Sequence, residues 1–328
     1  MKALVYTDSK TMEFRDVDDP SPAAGEALIR VKASGICGSD MHAWAGHDER
    51  RPAPLILGHE AAGEIVGFGG AARRVTVNPL VTCGTCEACT TGRDNLCSTR
   101  QIISMPPREG AFAELLAMPE GNLVNVPDHV ALESAALCEP LACGWHAVRL
   151  AMKTLGGDLK DVRCMVLGGG AIGLGAALAF RALGGKDIAI VEPNSARRER
   201  ILETEDITCL ASAVSVHAPT LVIDGVGVAA TRASSSKLVQ PGGLIMHIGL
   251  GAAEGGLDVR RMTLQEITFI GTYTYTMTDF RATADAIFSG KLGKLRWIDK
   301  RPLASGARAF DDIAAGKSAA PKIILQPA

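Results

Sequence analysis

Four cysteines, Cys83, Cys86, Cys89 and Cys97, stand in the stretch CGTCEACTTGRDNLC, with gaps of two, two and seven residues. Two residues between cysteines let a tight loop aim successive thiolates at one point, and the "TTGRDNL" turn lets Cys97 close a tetrahedron. Four thiolates with no open position describe a structural zinc site that fixes a loop and performs no chemistry. An iron–sulfur cluster is the rival. The bacterial ferredoxin spacing, however, ends in three residues and a proline, unlike this run.

A second constellation is the glycine loop. The stretch VLGGGAIGLG places Gly168, Gly170 and Gly173 in a G-x-G-x-x-G, with Ile172 inside it. Such a loop means little alone, since glycine-rich turns are common. Here it follows an apolar run that reads as a strand and opens a run that reads as a helix. A second strand-like run then ends in Glu192, 19 residues after Gly173. That context is the one a dinucleotide requires. The first glycine permits the turn, the second lets amides approach the pyrophosphate, and the third packs helix on sheet. The helix N-terminus then faces the phosphates. Glu192 is placed to accept hydrogen bonds from the adenosine ribose. Arg197 either lies over the adenine or is a solvated surface arginine.

Other ligand types are scattered. GICGSDMHAW offers Cys37, Ser39, Asp40 and His42, LGHEAAGE offers His59 and Glu60, and ALCEPLACGWHA offers Cys138 and Glu139. Their spacing is not self-contained, and a lone buried Cys or His is more often packing than ligand.

The elements that must position these groups fall into two styles. Up to about residue 130 the chain reads as β-rich, with short alternating runs such as EALIRVKA and AAGEIVGF broken by Pro and Gly turns. The stretch DHVALESAALCEPLACGWHAVRLAMKTL reads as helix. From residue 163 strand and helix alternate: RCMVLG, DIAIVE, TLVIDGVG, GGLIMHIGL and ITFIGTY are expected strands. That order argues for a parallel, doubly wound sheet with helices on both faces. DFRATADAIFSGKL then reads as helix and PKIILQP as a last strand. The expected division is 1–144 with 273–328 as a β-rich catalytic domain, its zinc lobe at 83–97, and 145–272 as a dinucleotide domain.

Composition excludes several classes. The 328 residues are 47% hydrophobic and 21% charged, with a net charge of −2, as in an ordinary globular protein. Nothing basic favours nucleic acid. No uncharged apolar run is long enough for a membrane span, and the start MKALVYTDSKTMEF lacks the apolar core of a signal peptide. A cytoplasmic, reducing location is therefore expected, where nine cysteines point to metal or catalysis before disulfides.

Taken together and in this order, GICGSD, GHE, the four-cysteine lobe, EPLACGWHA and GGGAIG resemble the zinc-containing medium-chain alcohol and polyol dehydrogenases. The resemblance covers nearly the whole chain. It is nearest to the sorbitol dehydrogenase-like branch, because EPL stands where the alcohol branch has a cysteine ligand. The resemblance implies a GroES-like catalytic domain and a Rossmann domain, two zinc ions per chain, and NAD. It implies a catalytic zinc on Cys37 and His59, with the third place taken by Glu60, or by Glu139 directly or through water. The register of EPLACG favours Glu139 over Cys138. Asp40 resembles the carboxylate that orients the zinc-bound histidine, and Ser39 and His42 resemble a proton relay. Ile248, Leu250, Thr274 and Tyr275 fall where family members hold the nicotinamide, with plain strand packing the alternative. The implied partners are a small alcohol or polyol and further copies of the chain, as a homodimer or homotetramer.

Three features depart from the family. Only 27 residues separate Glu192 from TLVIDGVG, so a strand or helix there is expected to be shortened. The loop through GFGGAARRV is short and lacks the usual GDRV. Thr274 stands where polyol dehydrogenases often carry arginine, which sets a sorbitol-like binding mode in doubt. Two other functions suit the same scaffold. A zinc-independent enone or quinone reductase has no need of Cys37, His59 and Glu60. A non-catalytic dinucleotide sensor has no use for Ser39 and His42.

Overall fold

The computed structural model describes residues 1–67, 73–213 and 218–328. The short loop through GFGGAARRV runs over 68–72, outside the described residues. The chain divides into two compact units. One comprises Met1–Glu139, Thr276–Ser289 and Ile298–Ala328; the other comprises Pro140–Tyr275 and Gly290–Trp297. Among the described residues no helix is long and apolar enough to cross a membrane.

The first unit is built on a seven-stranded, mostly antiparallel sheet. Its axis is the strand Glu26–Gly35, where alternation buries Ala27, Ile29, Val31 and Ala33, as period-two patterning requires. That strand pairs with Glu60–Ile65 on one side and with Lys322–Gln326 on the other. The register sets Gly35 opposite Glu60 and Ile324 opposite Gly35. Three segments distant in sequence thus bring their ends together at one end of the sheet's central strands. A smaller sheet of Lys2–Asp8, Thr11–Asp16 and Leu55–Ile56 covers a second apolar cluster around Leu4, Leu57, Phe112 and Phe310.

The second unit carries six parallel strands: Arg163–Leu167, Asp187–Val191, Thr208–Leu210, Leu221–Asp224, Leu244–His247 and Thr268–Gly271. Numbered by sequence, their spatial order is 3-2-1-4-5-6, the order of dinucleotide-binding sheets, whose ligands lie beyond the carboxyl ends of the strands. Three elements of this unit go beyond the sequence expectation, the short helix Val259–Leu264 among them. The helix Ser195–Thr204 is mostly polar, and its signal was Asn194, whose side chain accepts the Arg197 N–H at its start. The strand Thr208–Leu210 has three residues and lies at the sheet edge. The long helix expected across residues 128–155 is broken into Leu132–Ala136 and Cys138–Thr154, with Pro140 tolerated in the first turn of the latter.

Candidate functional site

The four-cysteine lobe is local in every respect. Cys86 precedes the short helix Glu87–Thr90, and Cys97 follows a single 3-10 turn at Asp94–Leu96. The sulfur atoms lie 3.5 Å (Cys86–Cys89), 3.6 Å (Cys83–Cys97) and 3.9 Å (Cys83–Cys89) apart. A tetrahedron with Zn–S bonds of ~2.3 Å has edges of about 3.8 Å, so the cage fits that ion. Backbone N–H groups of Thr85 and Cys86 draw the Cys83 thiol down to about 5, which favours the thiolate a metal needs. Asp94 ties the lobe to its unit by accepting the Met277 N–H at 2.9 Å.

The second cluster is assembled from a distance. The ligand atoms of Cys37, His59 and Glu60 all lie within 4.8 Å of one another. Cys37 sits at the start of the helix Gly38–Trp44, and Glu60 opens the strand Glu60–Ile65. Asp40 is fully buried. It accepts the Cys37 N–H at 2.9 Å and the Gly58 N–H at 3.3 Å, and its Oδ1 lies 3.4 Å from His59 Nδ1. The carboxylate therefore ties the Cys37 and Gly58 backbone together beside the His59 ring, as a group that orients a ligating histidine does.

Glu60 is held by a residue that the sequence reading did not single out. Lys322, itself 5% exposed, pairs with Glu60 Oε1 and donates to the Ile36 carbonyl at 2.9 Å. The other oxygen, Oε2, is buried without a hydrogen-bond partner. A buried carboxylate oxygen left bare is costly, and a cation between it, Cys37 and His59 satisfies it. Gly35 makes room, since a Cβ there would lie 1.9 Å from Glu60 Oε2. The signal for Lys322 was a lone cation opening the otherwise apolar run KIIL.

Glu139 is buried but lies outside this three-residue cluster. Burial pushes the neighbouring Cys138 thiol up to about 12, and it too lies outside the cluster. Ser39 is half-buried and His42 exposed on the helix Gly38–Trp44, three residues apart and so on one face. The buried Arg51 anchors the Ser39 carbonyl at 3.3 Å.

In the second unit the glycine loop has the geometry its chemistry asks for. Gly168 takes φ +97° directly after the strand Arg163–Leu167. Gly170 precedes the helix Ala171–Ala182 and has open space at its Cα, where amides can meet phosphate. A Cβ on Gly173 would lie 1.9 Å from the Gly168 carbonyl, so only glycine packs there. Ile172 lies in the first turn of that helix. Glu192 Oε2 accepts the Gly169 N–H at 2.9 Å, and Oε1 accepts the Asn194 N–H at 2.8 Å. Arg197 reaches Glu192 Oε2 at 3.4 Å, and Arg198 donates to the Glu192 carbonyl at 2.9 Å.

The four residues expected near the nicotinamide are placed unequally. Ile248 is buried, Tyr275 wholly so, and Leu250 is 78% exposed. Thr274 holds φ +47°, and its hydroxyl is buried without a hydrogen-bond partner. A β-branched residue in that region is strained, and such strain gathers at functional sites.

Known proteins match this architecture. The family described as "Alcohol dehydrogenase GroES-like domain" matches residues 23–128. L-galactonate-5-dehydrogenase of Escherichia coli K12 is 31% identical over 329 residues, covering 95% of this chain and 94% of that one. Sorbitol dehydrogenase of Bacillus subtilis 168 is 31% identical over 299 residues, covering 85% and 83%. Among solved structures, a zinc-binding dehydrogenase of Sinorhizobium meliloti 1021 bound to NADP superposes with a TM-score of 0.87 at 27% identity, over 99% of both chains. With these relatives, the GroES-like unit and the parallel nucleotide sheet, the chain belongs to the zinc-containing medium-chain alcohol and polyol dehydrogenase family, a family of NAD(P)-dependent oxidoreductases.

Proposed function

We propose that the chain oxidises a secondary hydroxyl of a polyhydroxylated substrate, a polyol or sugar acid, and passes the hydride to NAD. The observation that carries this reading is the bare, buried Oε2 of Glu60 beside Cys37 and His59. The set has three protein ligands of mixed type, which is the form of a catalytic zinc site with one position left open. Zinc there supplies Lewis acidity, favouring loss of the proton from a substrate hydroxyl at that position.

The chain's own residues do the rest. Cys37, His59 and Glu60 hold the ion, Asp40 orients the His59 ring, and Lys322 keeps Glu60 Oε1 occupied so that Oε2 faces inward. Ser39 Oγ accepts the hydroxyl proton as it passes its own along the relay, and His42, exposed to solvent, releases the proton to water. Oxidation of the carbinol to a ketone removes one proton and one hydride; bound NAD would supply the hydride acceptor, while the chain's own residues hold the substrate and move the proton. Gly168, Gly170 and Gly173 seat the pyrophosphate, and Glu192 faces the ribose. Ile248, Leu250, Thr274 and Tyr275 line the nicotinamide end. Relatives named for sorbitol and L-galactonate support a chain of hydroxyls as substrate class. Thr274 in place of arginine argues for a polar rather than charged contact. Assembly as a homodimer or homotetramer belongs to the same reading.

The test pairs metal analysis with NAD reduction across polyols, sugar acids, simple alcohols and threonine. Two zinc ions per chain and turnover of a polyhydroxylated substrate are expected. One zinc per chain with reduction of enones or quinones would replace this reading with the zinc-independent reductase. Cofactor binding without turnover of any alcohol would leave a sensor.

A further inference from the structure

Arg232 lies in the helix Ala229–Leu238 and is 6% exposed. Buried arginines usually meet a carboxylate. This one donates instead to four backbone carbonyls: Nε to Gly255 at 2.6 Å, Nη1 to Gly227 at 3.0 Å and to Ala252 at 2.9 Å, and Nη2 to Glu254. Three of these belong to one loop, GLGAAEGG, residues 249–256, which follows the strand Leu244–His247. The fourth belongs to the turn after the strand Leu221–Asp224.

Backbone hydrogen bonds also join the two turns to each other. The Gly251 N–H donates to the Val226 carbonyl at 3.1 Å, and the Ala252 N–H to the Gly227 carbonyl at 2.9 Å. A Cβ on Gly227 would lie 1.9 Å from the Gly249 carbonyl, and one on Gly256 would lie 2.1 Å from the Ala229 carbonyl. Both glycines hold positive φ, +73° and +95°. Asp224 braces the first turn, accepting the Val226 and Gly227 N–H groups at 3.0 and 2.8 Å. Apart from Leu250 the loop carries little that could anchor it in an apolar core. Leu250 itself points out, 78% exposed. A large apolar side chain is thus held in water by a polar scaffold beneath it, at the carboxyl ends of the parallel strands where ligands of such sheets lie.

We propose that Arg232 is a positioning residue for the cofactor. Its guanidinium clamps loop 249–256 so that Leu250 is presented as an apolar wall to the nicotinamide. The proposal rests on the dinucleotide reading above. Arginine suits the task because its planar fork reaches several acceptors at once, whereas lysine offers one compact ammonium.

NADH titration by fluorescence, well below the melting temperature of each variant, tests the clamp in a cycle of wild type, Arg232→Lys, Leu250→Ala and the double variant. Each single change is expected to raise the NADH Kd by about tenfold. The double variant is expected to bind no worse than the weaker single, because both changes remove the same wall. The cofactor KM should rise with zinc content unchanged. A lower Tm with wild-type NADH affinity would reduce Arg232 to a purely structural role, and multiplicative effects in the double variant would equally overturn the proposal. Should Arg232→Lys not fold, Gly256→Ala takes its place in the same cycle, loosening the loop from its other side. Wild-type protein that bound no NADH would instead defeat the dinucleotide reading itself.

Discussion

The two metal clusters are built on opposite plans. The four-cysteine lobe draws all its ligands from one fifteen-residue stretch, and Cys83 at its rim is exposed. The Cys37–His59–Glu60 cluster has His59 and Glu60 buried and depends on Asp40 and Lys322 as well. In the lobe the four sulfurs face one another across a short, largely exposed loop, so the metal organises the protein. At the other cluster the sheet register has already placed the ligands, and the protein organises the metal. A closed sulfur cage stabilises a fold, while a mixed, preorganised set leaves room for a substrate.

The largest expected effects separate those plans. Cys37→Ser should leave a folded, NADH-binding protein whose turnover falls by about a thousandfold or more, since several kcal/mol of Lewis-acid assistance is lost. Cys86→Ser opens the cage, which in small zinc domains contributes on the order of 10 kcal/mol to folding. It should lower the melting temperature and release one zinc per chain. Calorimetry and metal analysis on both variants check this, and equal losses of folding would erase the distinction.

The dinucleotide loop shares the lobe's local character, and its acid makes the next prediction. Glu192 can accept from the free ribose hydroxyls of NAD, whereas the 2′-phosphate of NADP brings like charges together. At about 4 Å and an effective dielectric near 20, each such pair costs roughly 4 kcal/mol before screening. Arg197 already reaches Glu192, and Arg198 is turned to the backbone carbonyls of Glu192 and Pro193, so neither lies unengaged for a phosphate. NAD should be preferred by about a hundredfold in kcat/KM, for which about 2.7 kcal/mol suffices. Glu192→Ser should narrow the gap by releasing Arg197. Equal kcat/KM with the two cofactors would show that the arginines win, and the solved neighbour that holds NADP makes that comparison worth running first.

The same contrast governs what the sequence could reveal. The cysteine spacing and the glycine loop were legible because their chemistry is written in consecutive residues. The strands of the parallel sheet were legible from apolar runs bounded by glycine, except Thr208–Leu210, too short to give a pattern. Lys322 and Gly35 were not legible as site residues. Their role depends on a register that sets residue 35 opposite both 60 and 324, and no local pattern encodes a pairing across almost the whole chain. The choice between Glu60 and Glu139 stayed open for the same reason.

That choice sets the third prediction. Glu60→Ala removes a clustered carboxylate and strands the buried Lys322, so the catalytic ion should be lost while the four-cysteine zinc is kept. Lys322→Met leaves Glu60 without its brace and should weaken metal binding there by about 10- to 100-fold, as supporting partners of ligands generally do. Glu139→Ala should keep both ions and lower turnover, consistent with a role through water. Cobalt substitution reads the mixed site apart from the thiolate cage by its absorption spectrum. Loss of the mixed-site signal in the Glu139 variant, with the Glu60 variant intact, would exchange the two residues.

The smallest expected effect belongs to Cys138, which sits beside Glu139 and tempts a ligand assignment. Burial pushes this thiol up to about 12, because a charge there would be stripped of water. The cluster that brings Cys37, His59 and Glu60 together does not include it. Its contribution is packing, and Cys138→Ala removes one small group from a fully buried site. Stability should fall by about 1 kcal/mol, read as a melting shift of about 2–4 °C, with turnover within about twofold of wild type and both zinc ions retained. A variant that folded normally yet lost the catalytic ion would mean that the helix Cys138–Thr154 turns in the metal-bound protein to present sulfur instead of the neighbouring carboxylate, and the mixed site would then gain a second thiolate.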